Sequence, residues 1–218
     1  MAPSRREKER KALRYSDAKV VADKQQSGFE PTSIDLPKDV SLFQFKEDKI
    51  YRLNIVPFVT KEGNPMADEG MVHYERTYWV HKGIGPDGRS YCCLNKTFGK
   101  NCPICKHVNK LEKEGADKES VDALRPKKRQ LWCVENVQEK DKGFQVLETS
   151  YYNGLGELID AKLEGTDDDD PYRNFFHLDD GMMLKVTSKQ DSFGGRMNYK
   201  PTNVEMVPRK EGYDEDLH

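Results

Sequence analysis

The feature that most constrains this chain is a histidine and a run of cysteines packed into one short stretch. His81 is followed by Cys92 and Cys93, and then by Cys102-Pro-Ile-Cys105. Two thiolates in a Cys-x-x-Cys turn grip one tetrahedral ion without strain, and two further ligands from an adjacent hairpin close the shell. Between His81 and Cys92 lies Gly83-Ile-Gly-Pro-Asp87-Gly88, and its Asp-Gly pair is a hairpin signal that returns the cysteines to the histidine. Three sulfurs and one imidazole leave no open coordination position, so the expected cofactor is one structural zinc rather than a catalytic one. Such a site contributes on the order of 10–16 kcal/mol to folding the unit around it. Cys92 and Cys93 are neighbours on a strand and point to opposite sides, so only one of them faces the ion. A redox role for Cys102 and Cys105 lacks the βαβ setting such pairs occupy. His73 and His107 read as ordinary histidines, and Cys133, beside Trp132 and Val134, as core.

Five cysteines, an odd number, argue against a closed disulfide framework. No stretch approaches the roughly 18 apolar residues of a membrane helix. Residues 1–14 are charged throughout and hold no apolar segment, unlike a secretory signal, so an intracellular protein without a membrane partner is expected. The chain has 218 residues and a formal net charge of −2, but that near-balance conceals segregation. Residues 1–14 carry six basic side chains against two acids, and residues 70–110 carry seven against two. Residues 160–180 carry eight acids against two bases, including the run 167–170, and residues 211–218 add four acids and no lysine or arginine. A partner feels these local fields, not their sum.

Apolar residues are sparse before residue 46, so residues 1–45 are expected to form a basic, flexible arm. Residues 46–209 are expected to fold, with a zinc subdomain at about 73–126, and residues 210–218 to form a short acidic tail. Residues 50–56 alternate Tyr51, Leu53 and Ile55 against Arg52 and Asn54, the period of a half-buried strand. Residues 72–82 predict a second long strand, 89–93 its return, 94–105 a compact loop, and 104–114 a helix that Gly115 stops. A polar linker containing Pro126 leads to strands at 129–137 and 144–149. Asn153 is placed to cap a helix whose Leu155, Leu158, Ile159 and Leu163 share a face. Residues 182–188 and 199–207 pair across a turn at Gly194-Gly195. Five or six mostly antiparallel strands with inserted helices predict a mainly β fold, a five-stranded barrel of the oligonucleotide-binding type with the zinc subdomain embedded, although a β-sandwich satisfies the same strand pattern.

Cations and aromatic rings interleave around the cysteine cluster. Tyr74, Arg76, Tyr78 and Lys82 lead into Arg89, Tyr91, Lys96 and Phe98, and Lys128, Trp132 and Phe193 follow later in the chain. With Arg52 on the polar side of the first strand, these are the candidate contacts to single-stranded DNA. Cations track phosphates while flat rings stack on exposed bases, each stacked base contributing about 1–3 kcal/mol with little sequence preference. In the strand at 72–82, Arg76 is expected to turn Tyr74 and Tyr78 outward, towards DNA.

The run Tyr78-Trp-Val-His81, then Cys93-x-x-Lys96-Thr-Phe-Gly99-Lys-x-Cys102-Pro-Ile-Cys105, resembles the bacteriophage single-stranded DNA-binding proteins of the T-even gene 32 type. The resemblance spans roughly residues 45–209 and is densest at Lys96-Thr-Phe-Gly99 and Cys-Pro-Ile-Cys. It implies an oligonucleotide-binding barrel with a zinc subdomain and DNA in the cleft between them. It implies His81, Cys93, Cys102 and Cys105 as the ligands, and a role in coating DNA during phage replication, recombination and repair. It also implies that a basic arm, here residues 5–14, binds the neighbouring protomer along DNA. An acidic tail, here residues 211–218, would recruit phage replication proteins.

Other classes fit less well. A zinc-ribbon adaptor binding protein alone would not require the basic and aromatic interleaving. His73-Tyr-Glu75 with Cys102-Pro-Ile-Cys105 imitates a zinc nucleobase deaminase, but its proline follows the first cysteine instead of preceding it, and its glutamate sits in a strand pattern. No Gly-Lys-Ser/Thr phosphate loop is present. A non-enzymatic protein is expected.

Overall fold

The computed structural model describes residues 34, 36–62, 64, 67–193 and 196–213. In chain order its elements are β1 (Ser41–Phe43), β2 (Ile50–Ile55), β3 (Phe58–Val59), β4 (Val72–His73), β5 (Glu75–Ile84) and β6 (Arg89–Cys92). Then come α1 (Leu94–Phe98), α2 (Pro103–Lys113), α3 (Lys118–Leu124), β7 (Lys127–Asn136), β8 (Phe144–Ser150), α4 (Leu155–Leu163), β9 (Met182–Phe193) and β10 (Arg196–Pro208). Short 3₁₀ turns occupy Lys140–Lys142 and Pro171–Asn174. Among the described residues, no helix is long and apolar enough to cross a membrane.

Eight strands form one mixed sheet organised on β7. One edge of β7 pairs antiparallel with β8, and the other edge is shared, with β5 along its first half and β2 at its end. From β2 the sheet continues through β9 to β10, from β8 it continues to β1, which runs parallel, and β6 hangs from β5. The path therefore starts at β1 and ends at β10, and no ladder joins those two among the described residues. The fold is mainly β with inserted helices, as expected, but among the described residues it has more strands than the five predicted and no closing ladder.

The period-two reading of β2 holds where it matters: Tyr51, Leu53 and Ile55 are buried. Asn54, expected outside, is also buried, because its amide donates to Glu135 (3.1 Å) and to the Tyr213 hydroxyl (2.7 Å). The core joins these residues to Trp132 and Val134 of β7, Leu147 of β8, Leu184 and Val186 of β9 and Val204 and Met206 of β10. Leu155 and Ile159, one helical turn apart on α4, complete it, together with Phe175. Gly156 permits that approach: a Cβ there would lie 2.0 Å from Gln130 Oε1.

Several boundaries move. The fold begins before residue 46, since β1 pairs with β8 and Phe43 is buried in the core; three residues with one aromatic anchor are too short to show a period. The strand expected at 72–82 breaks at Tyr74, so that β4 pairs with β3 as a separate ribbon and β5 joins the main sheet. Gly154, not Asn153, is the residue before α4, and Asn153 adopts φ 55° with its N–H donating to Glu157 (2.6 Å). The loop at 94–105 contains α1, and the linker before Pro126 contains α3, which Asp117 caps through the Ser120 N–H (3.0 Å). Residues 5–14 and 214–218, the expected arm and most of the tail, lie outside the described residues.

Candidate metal centre and adjoining cleft

Four ligand atoms converge on one point. The His81 imidazole and the sulfurs of Cys93, Cys102 and Cys105 lie within 4.8 Å of one another. The closest edges are Cys93 Sγ to Cys105 Sγ (3.4 Å) and His81 Nε2 to the sulfurs of Cys102 and Cys105 (3.5 Å each). A tetrahedral ion with bonds of about 2.3 Å to sulfur and 2.0 Å to nitrogen demands edges of about 3.5–3.8 Å. The four residues can therefore hold one metal ion.

Each ligand is placed by its own local structure. His81 lies on β5, wholly buried, and its Nδ1–H donates to the Leu124 carbonyl at the end of α3 (2.8 Å), leaving the Nε2 lone pair for the cluster. Cys93 follows β6, its N–H donating to the Trp79 carbonyl (2.7 Å), and its sulfur caps α1 by accepting the Lys96 N–H (3.3 Å). Gly99, in the left-handed conformation, then ends α1 and turns the chain towards Cys102. Cys102 stands before Pro103 at the start of α2, and Cys105 lies in its first turn. Cys92 points away, exposed, 3.5 Å from the Thr97 hydroxyl, which resolves the doublet in favour of Cys93.

The thiols are crowded in a way that a cation would relieve. Burial raises the Cys105 thiol, and the neighbouring Cys93 and Cys102 sulfurs raise it further, to about 12. Burial also opposes ionisation of Cys102, but the amides of Cys105 and Ile104 and the His81 ring outweigh it and hold that thiol at about 6. Crowded thiolates repel one another unless a cation neutralises them.

A cleft of about 440 Å³ opens between the first half of β10, the segment 42–46 and the β7–β8 pair, with Lys82, the neighbour of His81, on its wall. Lys46, Lys82, Arg129 and Lys200 line it, with Glu148, Phe45 and Tyr199. At the start of β7, cations lie over rings: Lys128 Nζ is 3.5 Å from the Tyr151 centroid and Lys96 Nζ is 5.8 Å from the Trp79 centroid. Trp79 and Lys128 are cross-strand partners, so these two pairs are continuous.

The expected DNA contacts divide. Lys82 reaches the cleft, Lys96 and Lys128 reach the rings, and Tyr91 (46% exposed) and Phe98 (40%) are open on the metal unit. Arg89 pairs with Asp87 on the exposed hairpin (3.5 Å), Arg76 is half-buried opposite Leu131, and Arg52 lies outside the cleft lining. The side chain of Phe193 falls outside the described residues. Three aromatic assignments are corrected. Trp132 is 2% exposed in the core, and Tyr74 packs against it (5.7 Å) and against Phe175 and Phe176. Tyr78 is buried, its hydroxyl donating to Glu148 (2.5 Å). Arg76 does not mark an open side of the strand, because the Arg129–Glu148 pair covers Tyr78 and the rings of Phe175 and Phe176 cover Tyr74. Lys46, Lys200 and Tyr151 were not singled out by sequence; nothing local marks them, since they meet the site only through the chain's return.

No protein-family model matches this chain, and no curated protein matches it.

Proposed function

We propose that this protein binds single-stranded DNA without a fixed sequence, using a partly open barrel of the oligonucleotide-binding type stabilised by one structural zinc. Oligonucleotide-binding barrels are themselves partly open, which accommodates the unjoined β1 and β10. Three thiolates with one imidazole are a closed zinc donor set with no position for substrate. One observation carries the nucleic-acid reading: residues far apart in sequence, Lys46, Lys82 and Lys200, meet in one cleft, while Trp79, Lys96, Lys128 and Tyr151 pair lysines with rings elsewhere along the β5–β7 ladder. Cations for phosphates beside rings for bases are what an unpaired strand requires. The resemblance of the segment from His81 to Cys105 to gene 32 type proteins supports the same reading, and with it a role in coating DNA during phage replication, recombination and repair.

Titration of labelled single- and double-stranded oligonucleotides tests it. Single strands bind preferentially, with a log–log salt slope of about −0.7 per phosphate contacted. Tyr151→Ala, which removes one stacking ring, weakens binding by about fivefold or more. A flat salt response, or equal affinity for duplex, overturns the proposal.

A further inference from the structure

A strand in the cleft can turn either its phosphates or its bases to the floor, and the cations are unevenly placed for the two choices. Lys46 is exposed, and Lys200 keeps 41% of its side chain in solvent, where its ion pair with Asp191 (2.8 Å) is screened and open to exchange for a phosphate. Arg129 and Glu148 lie deeper, at 15% and 5%, and neutralise each other: Arg129 Nε and its terminal nitrogen each stand 3.1 Å from Glu148 Oε1. The Tyr78 hydroxyl donates to that same oxygen (2.5 Å). These three donors fall on Oε1 alone, whereas a carboxylate has about four lone-pair sites and no donor. The floor therefore offers acceptor capacity without surplus positive charge. A phosphate, itself an anionic acceptor, gains nothing there, while Leu42 and Met197 in the same cleft suit a ring.

Resting on the single-strand reading above, we infer that the strand lies with its bases turned inward and its backbone along the lysines, and that Glu148 is a specificity-determining residue favouring bases with an exocyclic amine. Cytosine presents its N4 amine to a carboxylate. Thymine has one edge donor, N3–H, held between two carbonyl oxygens that the carboxylate repels.

Fluorescence anisotropy with dC and dT homopolymers of equal length, at slightly alkaline pH and fixed salt, tests this. The wild-type protein binds dC about fivefold more tightly than dT. Glu148→Gln narrows that ratio to within about twofold, and Lys46→Ala weakens both alike and reduces the salt slope by about 0.7. Equal or tighter binding of dT by the wild-type protein overturns the inference, whether or not Glu148→Gln folds, and so does an unchanged ratio in a folded Glu148→Gln. Binding of neither oligonucleotide overturns the single-strand reading instead.

Discussion

The sheet and the metal unit are held by different physics. The sheet's core gathers Leu53, Ile55, Trp132, Leu184, Val186 and Val204 from strands across the chain, and it takes none of its members from residues 75–131. The metal unit buries Val80, Val108 and Val121, with polar Thr97 and the ligands His81, Cys93 and Cys102. Area burial stabilises the first region in many small increments. A single ion held by the four ligands would contribute most of the stability of the second. A segment this polar can therefore carry exposed lysines and rings and still hold them in place.

Removing a ligand breaks that contrast most sharply. With Cys93→Ser, or under chelation, metal content falls from one per chain to none, with a loss on the order of 10–16 kcal/mol of metal-linked stability. Hydrogen exchange then shows residues 76–125 losing protection while β2, β9 and β10 keep theirs; simultaneous loss in both regions would make them one cooperative unit. Cys92→Ser leaves metal content and exchange unchanged.

The reverse perturbation is smaller. Leu53→Ala, at a fully buried position, costs the sheet about 2–5 kcal/mol, read from denaturant midpoints, while the metal stoichiometry stays at one.

The smallest expected effect lies between the two regions. Glu75 is half-buried at the start of β5, accepting bonds from Gln130 and Thr77. Burial raises its carboxyl above the ordinary range, against the pull of Lys128. Its protonated form is thus favoured in the folded chain, so its stabilising contribution is complete below the unfolded value and lost as pH rises through the folded one. Thermal midpoints of Glu75→Gln therefore exceed the wild type at neutral pH, and the gap closes as pH falls through that range. A constant gap would assign the difference to packing.

Much of this was legible in local pattern. The zinc-type ligand set follows from Cys-x-x-Cys, a hairpin signal and His81, because a chelate loop is a short-range object. The alternation of β2 and the stripe of α4 likewise identified Tyr51, Leu53, Ile55, Leu155 and Ile159 as buried. Pattern failed where burial depends on what packs later. An aromatic beside Arg76 reads as outward until Glu148 and Arg129 cover Tyr78 and the rings of Phe175 and Phe176 cover Tyr74.

The amino-acid sequence by itself determined His81 and the Cys102–Cys105 pair as candidate ligands, most of the long strands, and the segregation of charge, since each arises between residues close along the chain. Only the tertiary structure decided that Cys93 rather than Cys92 turns inward, that Trp132 belongs to the core, and that Lys46, Lys82 and Lys200 share one cleft. Those outcomes rest on pairings between distant strands, and no local periodicity encodes which surfaces such pairings cover.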